Sequence, residues 1–148
     1  MKSISGKTGH IFSLSISPQN LDSYVKECTH CAHTCRTCAD ACAVNPGKFS
    51  EIIDVCLECA KTCESLVREL VLQKQGVRNI RKVQIEACIV TCRLCARRCV
   101  ERVSDFECVL VCAQAARRCA DVISVLLPKF SSSNGKGFFS FLRNNKDK

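Results

Sequence analysis

Cysteines recur at steps of three and four residues in the first half of the chain. In the segment CTHCAHTCRTCADAC, residues 28–42, they occupy positions 28, 31, 35, 38 and 42. This spacing puts side chains on one stripe of an α-helix, where Leu, Ile or Val normally faces a partner helix. One thiol there is a small buried hydrophobe, but a row of thiols is a set of soft metal ligands. The spacing therefore predicts a helix with a sulfur-lined inner face.

Three further segments repeat this pattern, so that 15 of the 148 residues are cysteine. A cysteine content of about a tenth indicates either a disulfide scaffold or metal binding. The motif Cys-Ala-x-x-Cys occurs at residues 31–35, 38–42, 59–63 and 95–99. Residues 115–119 repeat this motif with Ala115 in place of its first cysteine.

Residues that favour or interrupt helices divide the cysteine-rich region into four predicted helices. The first opens at Ser17 or Asn20, both good N-cap residues, and ends at the Asn-Pro-Gly sequence 45–47. The second and third span about 48–73 and 77–102.

The fourth helix follows a capping box formed by Ser104 and Glu107, and it ends before Pro128. Gly76 is a suitable left-handed residue at the end of the second helix. Four helices joined by short loops predict an all-α fold, an antiparallel up-down four-helix bundle with a cysteine-lined core.

Folding the chain at these breaks brings the four cysteine bands to the same height in the bundle; the turn at Gly76, for example, places Cys63 near Cys88. One end of the sulfur row is then closed by apolar residues, and metal is expected to enter at the opposite end, near the loops that flank Cys42, Cys99 and Cys108. The apolar end is made by Tyr24, Leu66, Leu70, Ile85, Val122 and Leu126.

Composition divides the chain into a flexible N-terminal segment (1–17), a cysteine-rich four-helix bundle (18–128) and a basic flexible tail (129–148). The ends carry most of the net charge of +8, because residues 21–128 contribute only +2. A nearly neutral bundle argues against a nucleic-acid surface. In the tail, a weak membrane or partner contact is the alternative to a solvated segment, because basic residues flank Phe138, Phe139 and Phe141.

Neither an export signal nor a run of apolar residues long enough to span a membrane is recognisable. The predicted location is therefore cytoplasmic, where thiols stay reduced and dense cysteine more often binds metal than forms disulfides. No catalytic constellation accompanies the cysteines, so the chain is not expected to be an enzyme.

Side chains at positions i and i+4 of a helix are neighbours, roughly 5–6 Å apart at Cβ, so two thiolates there can hold one ion. Cu(I) is soft and favours thiolate, so several Cu(I) ions per chain are predicted. The cysteine pairs with this spacing are 31/35, 38/42, 59/63, 88/92, 95/99 and 108/112.

Three alternatives stay open at this point. Zinc prefers four tetrahedral ligands from short motifs, and iron–sulfur clusters use a different cysteine spacing on wrapping loops. A disulfide-stabilised helical interaction module is the third alternative, because Cys28 and Cys38 have a spacing found in paired helices. His30 and His33 fall on outward positions, and His10 lies outside the helices, so solvated histidine is the expectation for all three.

With these repeated units on four helices, residues 20–127 resemble the cysteine-rich four-helix-bundle copper storage proteins. The resemblance implies copper storage rather than catalysis, the cytosolic branch of the family, and a homotetramer. Ala115 departs from the family pattern, since a ligand is expected there. The ligands that the resemblance implies are Cys28, Cys31, Cys35, Cys38, Cys42, Cys56, Cys59, Cys63, Cys88, Cys92, Cys95, Cys99, Cys108, Cys112 and Cys119.

Overall fold

A computed structural model describes residues 13–102 and 107–130, and within them the fold is dominated by four α-helices. Each helix contacts its neighbours in the chain, and the first also contacts the last, which closes the bundle. The predicted all-α four-helix bundle is thereby confirmed. The helices are α1 (Pro18–Cys42), α2 (Pro46–Lys74), α3 (Lys82–Val100) and α4 (Glu107–Ser124).

Local sequence accounts for the first two helix boundaries. Ser17 is the N-cap of α1 and Pro18 follows it, as predicted, although the Ser17 side chain makes no capping hydrogen bond. The Asn45 side chain caps α2 by accepting a hydrogen bond from the backbone N–H of Lys48. Pro46 therefore begins α2 instead of separating two helices, because proline is well suited to the first helical position.

Helix α2 ends just before Gly76, which opens the connection to α3 and has a φ of 77°, in the left-handed region as predicted. The backbone N–H of Gly76 donates to Gln73, and that of Val77 donates to Leu72, so the last turn of α2 is closed by a Schellman motif. Helix α3 begins later than the predicted residue 77, because the chain first forms a short strand before Lys82.

This strand, β2 (Ile80–Arg81), pairs antiparallel with β1 (Ser13–Leu14). Ile80 of this pair and Ile16, which follows β1, are both buried, so residues 13–17 are docked on the bundle at its apolar end. The chain beyond α4 is also packed where it is described, because a 3₁₀-helix (Leu127–Lys129) leads to the buried ring of Phe130. The division of the chain at residues 17 and 128 stays a prediction, because most of the two predicted flexible ends lies outside the described residues. The capping-box residue Ser104 and His10 also lie outside them.

A buried carboxylate fastens the α2–α3 connection. Glu69 of α2 is only 4% exposed and accepts hydrogen bonds from Arg78 and from the guanidinium and backbone N–H of Arg81. Burial alone would raise the pKa of the Glu69 carboxyl, but the hydrogen bonds from Arg81 and Arg78 outweigh it and lower the pKa from its ordinary value.

We expect Glu69→Gln to destabilise the reduced protein by about 1–3 kcal/mol at neutral pH, because it leaves the arginines without their charged acceptor. The pKa of Glu69 is lower in the folded state, so this stabilisation is present above the ordinary carboxyl pKa and is lost as pH falls through the folded pKa. Urea unfolding of both proteins between neutral pH and about pH 3 should show the difference shrinking on acidification. Asp22→Asn is the control, since Asp22 and its partner Lys74 are both exposed and a surface pair contributes little.

Candidate metal centre

The inner face of the bundle is lined by sulfur. All fifteen cysteines lie in the described residues, all are free thiols, and all but Cys108 are buried. Helix α1 contributes five of them and the other helices the rest, on the stripes that the spacing predicts. Because the helices pair in antiparallel fashion with short loops, the four stripes face one axis.

The close contacts between sulfur atoms mostly join different helices. Cys112 of α4 illustrates this, because its Sγ lies 3.5 Å from Sγ of Cys56, 3.6 Å from Cys35 and 3.9 Å from Cys95. These three partners come from α2, α1 and α3. Cys112 therefore links thiols from every helix of the bundle.

A second set of contacts lies nearer the apolar end. The Sγ atom of Cys63 is 3.6 Å from that of Cys92, 3.9 Å from Cys88 and 4.0 Å from Cys119. Cys59 extends this set, at 3.5 Å from Cys92 and 3.9 Å from Cys31. The predicted neighbours Cys63/Cys88 are thus in contact.

Sulfur atoms that all lie within 4.8 Å of one another form five groups. Cys63 and Cys92 belong to two groups each, as do Cys59 and Cys95, so adjacent groups are joined through common thiols. The groups are Cys38/Cys42/Cys108, Cys56/Cys95/Cys99/Cys112, Cys35/Cys59/Cys95, Cys31/Cys59/Cys63/Cys92 and Cys63/Cys88/Cys92/Cys119.

These groups differ from the predicted row of intrahelical pairs. The pairs 38/42, 59/63, 88/92 and 95/99 each fall within one group, but 31/35 and 108/112 do not share one. Intrahelical spacing is visible in a sequence, whereas the contacts between helices depend on their rotation and register. The unit of this centre is therefore three or four thiols from several helices.

The group Cys35/Cys59/Cys95 joins two four-thiol groups, because it shares Cys95 with Cys56/Cys95/Cys99/Cys112 and Cys59 with Cys31/Cys59/Cys63/Cys92. It contains no thiol from α4. Helix α4 is buried at this level through Ala115 and Ala116, which lie between Cys112 and Cys119. Ala116 is fully buried in the core, while Ala115, at 6% exposed, lies outside the main core cluster. Ala116 therefore fills the core where α4 has no thiol at least as much as Ala115, the residue predicted to stand in place of a cysteine.

Cys28 lies outside the five groups but interacts with thiols at the apolar end. The pKa of its thiol is raised, chiefly by its hydrogen bond with Cys119. Leu66, Leu70 and Ile85 close this end and are fully buried, as predicted, and Leu126 is nearly so. Tyr24 and Val122, which were predicted with them, are only half-buried.

The two ends of the sulfur row differ in exposure. Cys108, in the first turn of α4, is half-buried, and it belongs to the only group that shares no thiol with another. The neighbouring Phe49 ring is buried, with Lys48 Nζ and the Arg102 guanidinium each 5.3 Å from its centre. The contact with Arg102 was not predicted, because this residue reaches Phe49 from the turn that follows α3, whereas Lys48 adjoins Phe49 in α2. We call the group Cys38/Cys42/Cys108 the mouth trio.

The thiols fall into two kinds, those with a raised pKa and those with a lowered pKa. Burial raises the pKa of Cys42. The pKa of Cys35 is raised chiefly by the hydrogen bond between Cys35 and Cys112. The pKa of Cys112 is lowered, first by its interaction with Cys35 and then by its interactions with the other neighbouring thiols. Binding a thiophilic ion would replace these shared protons and neutralise the thiolates within the core.

His30 and His33 are exposed on the outside of α1, as predicted. No helix among the described residues is long and apolar enough to cross a membrane.

Comparison with known proteins gives a consistent result. The model of the copper storage protein family matches residues 17–127. A copper-loaded cytosolic copper storage protein from Streptomyces lividans, with five coppers, has a TM-score of 0.64 and 25% identity, covering 73% of this chain and 92% of that one. A variant of Streptomyces lividans Ccsp in which one histidine is replaced by alanine has a TM-score of 0.67 and 24% identity, covering 80% of this chain and 100% of that one. No curated protein is significantly similar in sequence.

Proposed function

The chain belongs to the copper storage protein family, and from this premise we propose that it stores several copper ions as Cu(I), bound by its fifteen core cysteines. Copper storage follows from the family. The oxidation state and the ligand set are the parts that the geometry supports: thiolate is the protein ligand that Cu(I) prefers. A storage role without catalysis completes the proposal.

The observation that carries the proposal is the sharing of thiols between adjacent groups. A mononuclear tetrahedral zinc site needs four ligands of its own, and Cys63 and Cys92 would have to serve two such sites. Cu(I) is satisfied by fewer ligands, and a sulfur atom that bridges two ions suits a row of ions along one axis. The iron–sulfur alternative lacks a wrapping cysteine loop, and the disulfide alternative is disfavoured because every cysteine is a free thiol.

Anaerobic titration of the fully reduced chain with Cu(I) tests the proposal, with a Cu(I)-specific chelator as competitor. We expect several ions per chain to be withheld from the chelator. The control is the same protein with its thiols alkylated after reduction, which should bind none tightly. Binding of a single ion, or tetrahedral zinc retained against Cu(I), would contradict storage of Cu(I).

Two further properties belong to the proposal. A cytoplasmic location is supported by the similarity to a cytosolic storage protein. Assembly into a homotetramer is what the family resemblance implies, and exposed apolar side chains on the outer faces of α3 and α4, including Val83, Leu110 and Val111, are compatible with it. Sedimentation equilibrium measures the oligomeric state directly.

The mouth trio is the proposed place where copper enters. We expect the double variant Cys42→Ala and Cys108→Ala to load copper markedly more slowly while keeping most of its capacity, because the deeper groups are unchanged. Stopped-flow loading from a weak Cu(I) complex measures the rate, with the exposed variant His33→Ala as control. A loading rate equal to that of the unaltered chain would show that copper enters elsewhere.

A further inference from the structure

One cysteine of the sulfur row is partly exposed to solvent, and its sulfur lies against a second thiol from another helix. Cys108 is the only one of the fifteen cysteines, all of them described, that is not buried. Its Sγ atom lies 3.9 Å from that of Cys38, and Cys42 completes the group within 4.8 Å. The other fourteen cysteines are at most 1% exposed.

We propose that Cys108 is an oxidative modification site for hydroperoxides and that Cys38 is its resolving thiol. The Cys108 sulfur attacks the terminal peroxide oxygen, the O–O bond breaks, and the products are a sulfenic acid on Cys108 and one molecule of alcohol, or water from hydrogen peroxide. The Cys38 thiol then displaces the sulfenic hydroxyl as water and forms a Cys38–Cys108 disulfide. Two thiols lose two electrons in total, and the peroxide accepts them.

The geometry favours this pair for two reasons. First, the movement needed is small and can be made at Cys108. The two sulfur atoms must approach by about 1.9 Å to reach the disulfide length of about 2.05 Å, and Cys108 lies in the first turn of its helix, where a side chain can move without disturbing the deeper layers. In addition, the mouth trio shares no thiol with another group, so its oxidation leaves the other four groups intact.

The disulfide would tie α1 to α4 at the end where copper is proposed to enter, and it would remove two of the trio's three thiols. This consequence rests on the proposed function, whereas the modification itself does not. Oxidation would then slow copper uptake and leave most of the deep capacity in place. Copper already bound at the trio would protect both thiols, because a coordinated thiolate is a poorer nucleophile toward peroxide.

The test treats the reduced, copper-free full chain with limiting hydrogen peroxide, alkylates the remaining thiols and maps disulfides by mass spectrometry. We expect Cys38–Cys108 to form several-fold faster than any other pair. Cys38→Ser should instead accumulate a dimedone-reactive sulfenic acid on Cys108, and Cys42→Ser should leave the disulfide unchanged. A first disulfide elsewhere, or equal oxidation in Cys108→Ser, would overturn the proposal.

A second arm separates this proposal from the proposed function. Protein loaded with Cu(I) before peroxide should be protected at Cys38 and Cys108, and protein oxidised first should take up copper several-fold more slowly. Protein that forms the disulfide but binds no copper would contradict storage and leave the modification site standing. Protein that binds copper but reacts at buried thiols first would do the reverse.

Discussion

Replacing Cys112 with serine is expected to lower copper capacity substantially. Cys112 contacts thiols from each of the other three helices, with its closest partner, Cys56, at 3.5 Å. Removing it therefore takes one of the four thiols from the group Cys56/Cys95/Cys99/Cys112 and a close neighbour from Cys35 of the adjacent group. We expect the affinity of this group for Cu(I) to fall by at least about tenfold, equivalent to ~1.4 kcal/mol.

Serine is the appropriate replacement because its hydroxyl nearly preserves volume and is a poor ligand for a soft ion. Competition with a graded series of Cu(I) chelators measures how many ions each variant retains at each affinity. Cys28→Ser is the matched control, since Cys28 is equally buried but lies outside the five groups. Equal losses in the two variants would show that the thiols act independently.

Much of this arrangement is predictable from the sequence. Cysteines at steps of three and four residues identify the buried stripe of each helix, and Gly76 and Pro46 mark where the chain turns. With antiparallel neighbours and short loops, the positions of the turns then determine which cysteines lie at the same height. The contact between Cys63 and Cys88 follows from that argument alone.

The composition of the groups is not predictable in the same way. Cys95 belongs both to a group with Cys99 and to a group with Cys35 and Cys59, and this double membership depends on how far each helix is rotated about its axis. Rotation is set by packing of the whole core, including Ala116 and the buried aliphatic residues near the apolar end. The docking of Leu14 beside Ile80 was also beyond the sequence argument, because two-residue strands have no periodicity to detect.

Loading with Cu(I) is expected to raise the melting temperature of the reduced protein by tens of degrees. A core filled by thiols has little aromatic packing, and within the described residues Phe49 and Phe130 are its buried aromatic rings. Ions that bind the native state but not the unfolded chain stabilise it by mass action. Each contributes about 4 kcal/mol when its free concentration is 1,000 times its Kd.

Several ions add their contributions, and about 1 kcal/mol shifts the melting temperature of a domain of this size by ~2–8 °C. Differential scanning calorimetry of the reduced chain, with and without saturating Cu(I), measures the shift. Removal of copper by a strong Cu(I) chelator should return the transition to its original position. The double variant His30→Ala and His33→Ala should show the same rise, since both side chains lie on the outer surface. An unchanged transition at saturation would mean that copper binds equally to unfolded chains, and the sulfur-lined core would then have no part in retaining it.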